Sequence, residues 1–134
     1  MSTANDGIDP SELDPDGLAV RREVLGADYV AAALANTDAT TAQFQQLITR
    51  YAWNEIWTRP GLDRRMRSAV TLTALVAHGH WAELEMHLRA ARRNGLTDGE
   101  IVEILLQTAI YCGVPAANSA FKVAQRVLAE PPPQ

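Results

Sequence analysis

The chain has 134 residues, 47% hydrophobic and 21% charged, which is the size and composition of one folded domain. A net charge of −4 argues against nucleic acid as a partner, and no apolar run approaches the roughly 18 residues that span a bilayer. A lone cysteine, Cys112, excludes an internal disulfide and any cysteine-cluster metal site. Met1–Asp6 has neither the basic nor the apolar segment of a signal peptide, so a cytoplasmic location with no membrane partner is expected. Of the twelve cationic residues only Lys122 is not arginine. Arginine grips carboxylates through two parallel hydrogen bonds, which suits a small anionic ligand.

In chain order, residues 1–13 and 131–134 read as loose tails around a single helical domain at 14–130. Asp16 is placed to cap a first helix that runs to Val24 and stops at Gly26, and residues 27–35 suit a second. Thr40 with Gln43 forms a capping-box pattern for a third, on which Phe44, Leu47, Ile48 and Tyr51 make one apolar face. Arg59-Pro60-Gly61 ends it. Asp63 caps a fourth helix whose middle, 69–77, is apolar nearly all round and therefore expected to be buried. A fifth spans 80–93 and closes at Asn94-Gly95. Thr97 and Glu100 form a second capping box for a sixth helix that runs to Tyr111. After Gly113, Pro115 opens a seventh with Ala117, Ala120, Phe121, Ala124 and Leu128 on its inner face. No strand is predicted. The fold class is all-α, a bundle of six to seven helices.

All three histidines fall within ten residues. His80, Glu83 and His87 are spaced i, i+3, i+7 on the fifth helix, bordering the apolar stripe of Leu84, Leu88 and Ala91. Such a ridge suits a proton donor at the edge of a pocket, and equally a hydrogen-bonded polar face. A metal site is a third reading; the spacing is not HExxH, and no metal is expected. Glu103 and Gln107 share a face of the sixth helix, where a solvated charge is the simpler reading. Trp53, Glu55 and Trp57 cluster near the end of the third helix, before the run Arg64-Arg65-Met66-Arg67. These residues suit an interface and a solvated face, or a ligand contact and a carboxylate anchor. No P-loop, GxGxxG, GxSxG or paired-cysteine motif is present.

Several blocks in order resemble the 4-carboxymuconolactone decarboxylases, members of the alkylhydroperoxidase D-like superfamily. They are Gly17-Leu18-Ala19-Val20-Arg21-Arg22-Glu23-Val24-Leu25-Gly26, residues 53–62 (WNEIWTRPGL), residues 83–91 (ELEMHLRAA) with Asn94-Gly95-Leu96-Thr97, and Tyr111-Cys112-Gly113-Val114-Pro115-Ala116-Ala117-Asn118. In the peroxidase branch a CxxC precedes a helical histidine. Here His87 takes the histidine position, and His80 and Glu83 stand where the cysteines would be, so an internal disulfide cannot cycle. At position 80 many decarboxylase relatives carry arginine.

The resemblance implies loss of CO2 from a small lactone carboxylate, without a cofactor because the conjugated lactone carbonyl takes up the electrons left behind. It implies His87 as proton donor, Glu83 orienting or tuning it, and His80 as an oxyanion or carboxylate contact. Arg64 or Arg67 would anchor a carboxylate. Trp53, Trp57, Tyr111 and Cys112 would form the pocket wall, with Glu55 near its rim. A homo-oligomer, commonly a hexamer, is also implied. The competing expectations are a thiol peroxidase using Cys112 and a non-catalytic helical interaction module.

Overall fold

The computed structural model describes residues 7–133; Met1–Asp6 and Gln134 lie outside them. Among the described residues there are seven α-helices and no strand, in agreement with the all-α expectation. They are α1 (Pro15–Leu25), α2 (Ala27–Ala35), α3 (Ala42–Ile48), α4 (Arg64–His78), α5 (Trp81–Arg93), α6 (Asp98–Tyr111) and α7 (Val114–Leu128). None is long and apolar enough to cross a membrane. The chain divides after Gly61 into two compact units.

In the first unit, residues 7–13 are not the loose tail expected. A 3-10 turn at Pro10–Glu12 is capped by Asp9, the Ile8 N–H donates to the Leu34 carbonyl at 3.1 Å, and Ile8 and Leu13 are buried. Asp14, not Asp16, caps α1 by accepting from the Gly17 N–H at 2.8 Å. The fixed φ of Pro15 suits the first helical position, so the cap falls one residue before it. The Thr40–Gln43 capping box does not form. Asp38 Oδ1 instead accepts from the N–H groups of Thr40 (2.9 Å) and Thr41 (3.2 Å), and the helix starts at Ala42.

Beyond Ile48, α3 widens into a π-helical segment over Thr49–Asn54, with i→i+5 bonds from Glu55 N to Arg50 O (3.0 Å) and Trp57 N to Ala52 O (3.1 Å). α1 crosses this segment at Gly17, where a Cβ would lie 2.0 Å from the Thr49 carbonyl oxygen. Of the apolar face on α3 and its extension, Phe44, Leu47 and Tyr51 are exposed and Ile48 is half-buried.

In the second unit, Asp63 caps α4 through the Met66 N–H at 2.8 Å. Gly79 ends α4 in the left-handed region at φ 69°, which costs a glycine nothing. The capping box of Thr97 and Glu100 opens α6 as expected. Leu72 and Val76 of α4, Leu84, Leu88 and Ala91 of α5, Ile101 and Leu105 of α6, and Ala120, Val123, Ala124 and Val127 of α7 share one core. Only one side of α4 enters it. Val70, Thr73, Ala74 and Ala77 are exposed, contrary to the all-round burial expected. On α7, Val123 and Val127 join the predicted inner residues, and Phe121 and Leu128 pack partly buried at the edge.

Arginines tie the surface of this unit. Arg65 clamps Glu100 and the Gly95 carbonyl, holding the Glu100 carboxyl down at about 2. Arg89 pairs with Glu130 at 2.8 Å, Arg92 with Asp98 at 3.0 Å and Arg126 with Glu85 at 3.2 Å. Arg92 also donates to the Pro131 carbonyl at 3.3 Å, where the C-terminal tail begins.

Candidate active site

The histidine ridge is built differently from its sequence spacing. The left-handed turn at Gly79 delays the start of α5 to Trp81, so His80 is the residue before the helix, with φ −86° and ψ 77°. It is exposed, and its ring stacks on that of His78 at 5.7 Å and 22°, a neighbour the spacing argument did not single out. Glu83 is exposed in the first turn of α5, and His87 is half-buried one turn later. Residues four apart on a helix face one another. Burial lowers the His87 pKa to about 4, while the Glu83 charge pulls it up. Burial wins, so the imidazole rests neutral at pH 7. The structure thus brings Glu83 and His87 into electrostatic contact and pairs His80 with His78.

Arg64 and Arg67 are half-buried in the first turn of α4, whereas Arg65 between them turns outward to its clamp. At the end of α6, Tyr111 is 79% exposed and Cys112 packs partly buried against the core. That is the ordinary place of a small apolar residue. A concavity of about 460 Å³ lies elsewhere, lined by Val102 of α6 and Asn118, Phe121, Lys122, Ala124, Gln125 and Leu128 of α7; it contains none of the predicted site residues. Among the described residues no three His, Cys, Asp or Glu side chains converge as metal ligands would.

In the first unit, Trp53 is buried and stacks on Trp57, with ring centres 5.3 Å apart and planes at 27°; Glu55 is exposed. The π-helical turn carries Trp53, and the two indoles meet at i, i+4.

Sequence reasoning missed Arg21. It is 5% exposed on the inner face of α1, between Leu18, Val24 and Leu25. Its Nη1 donates to Gln45 Oε1 at 2.8 Å, and its Nε is buried without a hydrogen bond. Burial lowers its pKa, with Tyr29 acting the other way. A signal was present: a cation at the i, i+3, i+4 positions of an apolar face points inward.

Comparison with known proteins gives a consistent picture. The model of the carboxymuconolactone decarboxylase family matches residues 42–126. The chain is 47% identical over 111 residues to a 4-carboxymuconolactone decarboxylase of Acinetobacter baylyi, covering 83% of each protein. It is 44% identical over 116 residues to a nitrosuccinic acid decarboxylase of Metarhizium robertsii, covering 87% of this chain and 81% of that one. An uncharacterized 15.0 kDa protein of Paracoccus denitrificans is 36% identical over 80 residues, 58% of this chain and 60% of the other.

Proposed function

The chain belongs to the carboxymuconolactone decarboxylase family, and on that premise we propose that it converts 4-carboxymuconolactone to 3-oxoadipate enol-lactone in the protocatechuate branch of aromatic-acid breakdown. The observation that carries this reading is 47% identity across 83% of both chains to a relative named for that activity. The leaving carboxylate is γ to the lactone carbonyl across a double bond. Loss of CO2 pushes the electron pair into that carbonyl as a dienolate, and a proton added at the carbon α to it completes the product. The protein has to hold the carboxylates, stabilise the growing charge on the lactone oxygen and supply the proton.

In this reading His87 is the proton donor and Glu83 tunes it. Because His87 rests neutral, it takes up its proton together with the substrate, whose two carboxylates favour imidazolium. His80 contacts the lactone oxygen or a carboxylate, and Arg64 or Arg67 holds a carboxylate. Trp53, Trp57, Glu55, Tyr111 and Cys112 are further substrate contacts. The working form is a cytoplasmic homo-oligomer, with a hexamer as the family expectation.

A second reading has support in the 44% identity to a nitrosuccinic acid decarboxylase. Nitrosuccinate carries one carboxylate on the carbon bearing the nitro group, so CO2 loss leaves a nitronate. Both acids therefore couple decarboxylation to an internal electron sink, and both keep a second carboxylate. The test is CO2 release from each acid by the purified protein, with the lactone generated in place. Turnover of the lactone with a kcat/KM above that for nitrosuccinate is expected, and loss of turnover in His87→Ala. Nitrosuccinate preferred would reverse the substrate assignment, and turnover of neither would defeat the reading.

A further inference from the structure

We propose that Arg21 binds the carboxylate of a small anionic ligand, gripping it through the Nε edge of a guanidinium whose other end is fixed by Gln45. The inference goes beyond the residues assigned above and stands on contacts within the first unit alone. A buried cation is costly unless an anion or a full set of hydrogen bonds offsets its desolvation. Arg21 is 5% exposed, yet its side-chain partner is a neutral amide, Gln45 Oε1 at 2.8 Å. The Nε–H is buried with no acceptor.

The other arginines with described side-chain bonds contrast with it. Arg65, Arg89, Arg92 and Arg126 each reach a carboxylate of the second unit, and those pairs tie its surface. The geometry of the one bond that Arg21 makes is also informative. Nη1 lies at the end of the guanidinium away from the Nε–H, so Gln45 leaves vacant the edge formed by Nε and Nη2. That edge takes a carboxylate through two parallel hydrogen bonds. Gln45 thus positions the fork without neutralising it, and an arriving carboxylate satisfies the Nε donor and the charge together.

The alternative is that Arg21 merely ties α1 to α3 through Gln45, and the experiment separates the two roles. Succinate, a stable small dicarboxylate, is the probe, titrated by calorimetry. Wild-type protein is expected to bind it. Arg21→Lys, which keeps the charge but loses the fork, should weaken succinate binding about tenfold. Arg21→Met should abolish succinate binding. Gln45→Met, which breaks the tie but keeps the guanidinium, should retain most of the binding. Succinate binding unchanged in folded Arg21→Lys and Arg21→Met, or lost equally in Gln45→Met, would overturn the proposal. Binding needs no turnover, so an Arg21-dependent site on a protein inactive toward both acids would mark failure of the substrate reading alone.

Discussion

His87 is held near pKa 4 by burial against the upward pull of Glu83. Its folded pKa lies below the ordinary 6.5, so the unfolded chain binds the proton more readily. The stability this contributes is complete above pH 6.5 and is lost as pH falls toward 4. Urea midpoints measured at pH 7 and 4.5 should therefore differ less in His87→Gln than in wild type; an equal difference would place the acid sensitivity elsewhere. In the proposed mechanism the same group is the proton donor. If proton and substrate bind together, kcat/KM falls about tenfold per pH unit above the free-enzyme pKa, through pH 5 to 8. Removing the Glu83 charge in Glu83→Gln should lower the His87 pKa further, seen by NMR as a titration midpoint of its imidazole resonance at lower pH, and reduce kcat/KM at pH 7. A His87 titration unmoved by that change would leave Glu83 a surface charge. The pair was legible from i, i+4 spacing. Its pKa was not, because burial depends on what packs over the ring.

At the scale of elements, the junction of α1 with the π-helical segment leaves no room for a side chain at Gly17. A Cβ at Gly17 would meet the Thr49 carbonyl at 2.0 Å, and neither partner is a flexible side-chain end. Gly17→Ala should destabilise the protein by about 3 kcal/mol, the upper part of the range for overpacking, read as a lowered urea midpoint. A loss below about 0.5 kcal/mol would mean that α1 can lift away at little cost. Helix limits were legible wherever a local device sets them: Gly26, Asp63, the Thr97–Glu100 box and Gly113 all act within one turn. The Thr40–Gln43 pattern failed because Asp38 takes the Thr40 N–H that the Gln43 side chain would have accepted. The π-helical segment left no trace in periodicity, since its extra residue per turn is imposed by packing. For Arg21 the inner-face position was readable, but the neutrality of its partner needed coordinates.

At the scale of the whole molecule, the unpartnered apolar surface constrains the form in which the protein works. Phe44, Leu47 and Tyr51 in the first unit and Val70, Leu106, Ile110, Tyr111 and Val114 in the second are exposed, Ile110 by 76%. Periodicity marked the α3 stripe as apolar, but the pattern of a face does not say whether its own chain or another covers it. On α6 the exposed Val102, Leu106 and Ile110 recur at i, i+4, i+8, opposite the core residues Ile101, Leu105 and Thr108. A helix apolar on two faces has one face in its own core and the other available to a neighbour. The proposed homo-oligomer supplies that neighbour. Leu106→Asp with Ile110→Asp places two charges on the outer stripe and leaves the inner one intact. Light scattering should show a multimer for wild type and a smaller species for the double variant, with helicity by circular dichroism within about a tenth of wild type. A wild-type monomer would rule out the assembly, and an unchanged multimer would move the interface off α6. Should the dissociated variant keep its helices but lose turnover, residues supplied by a second copy become part of the site.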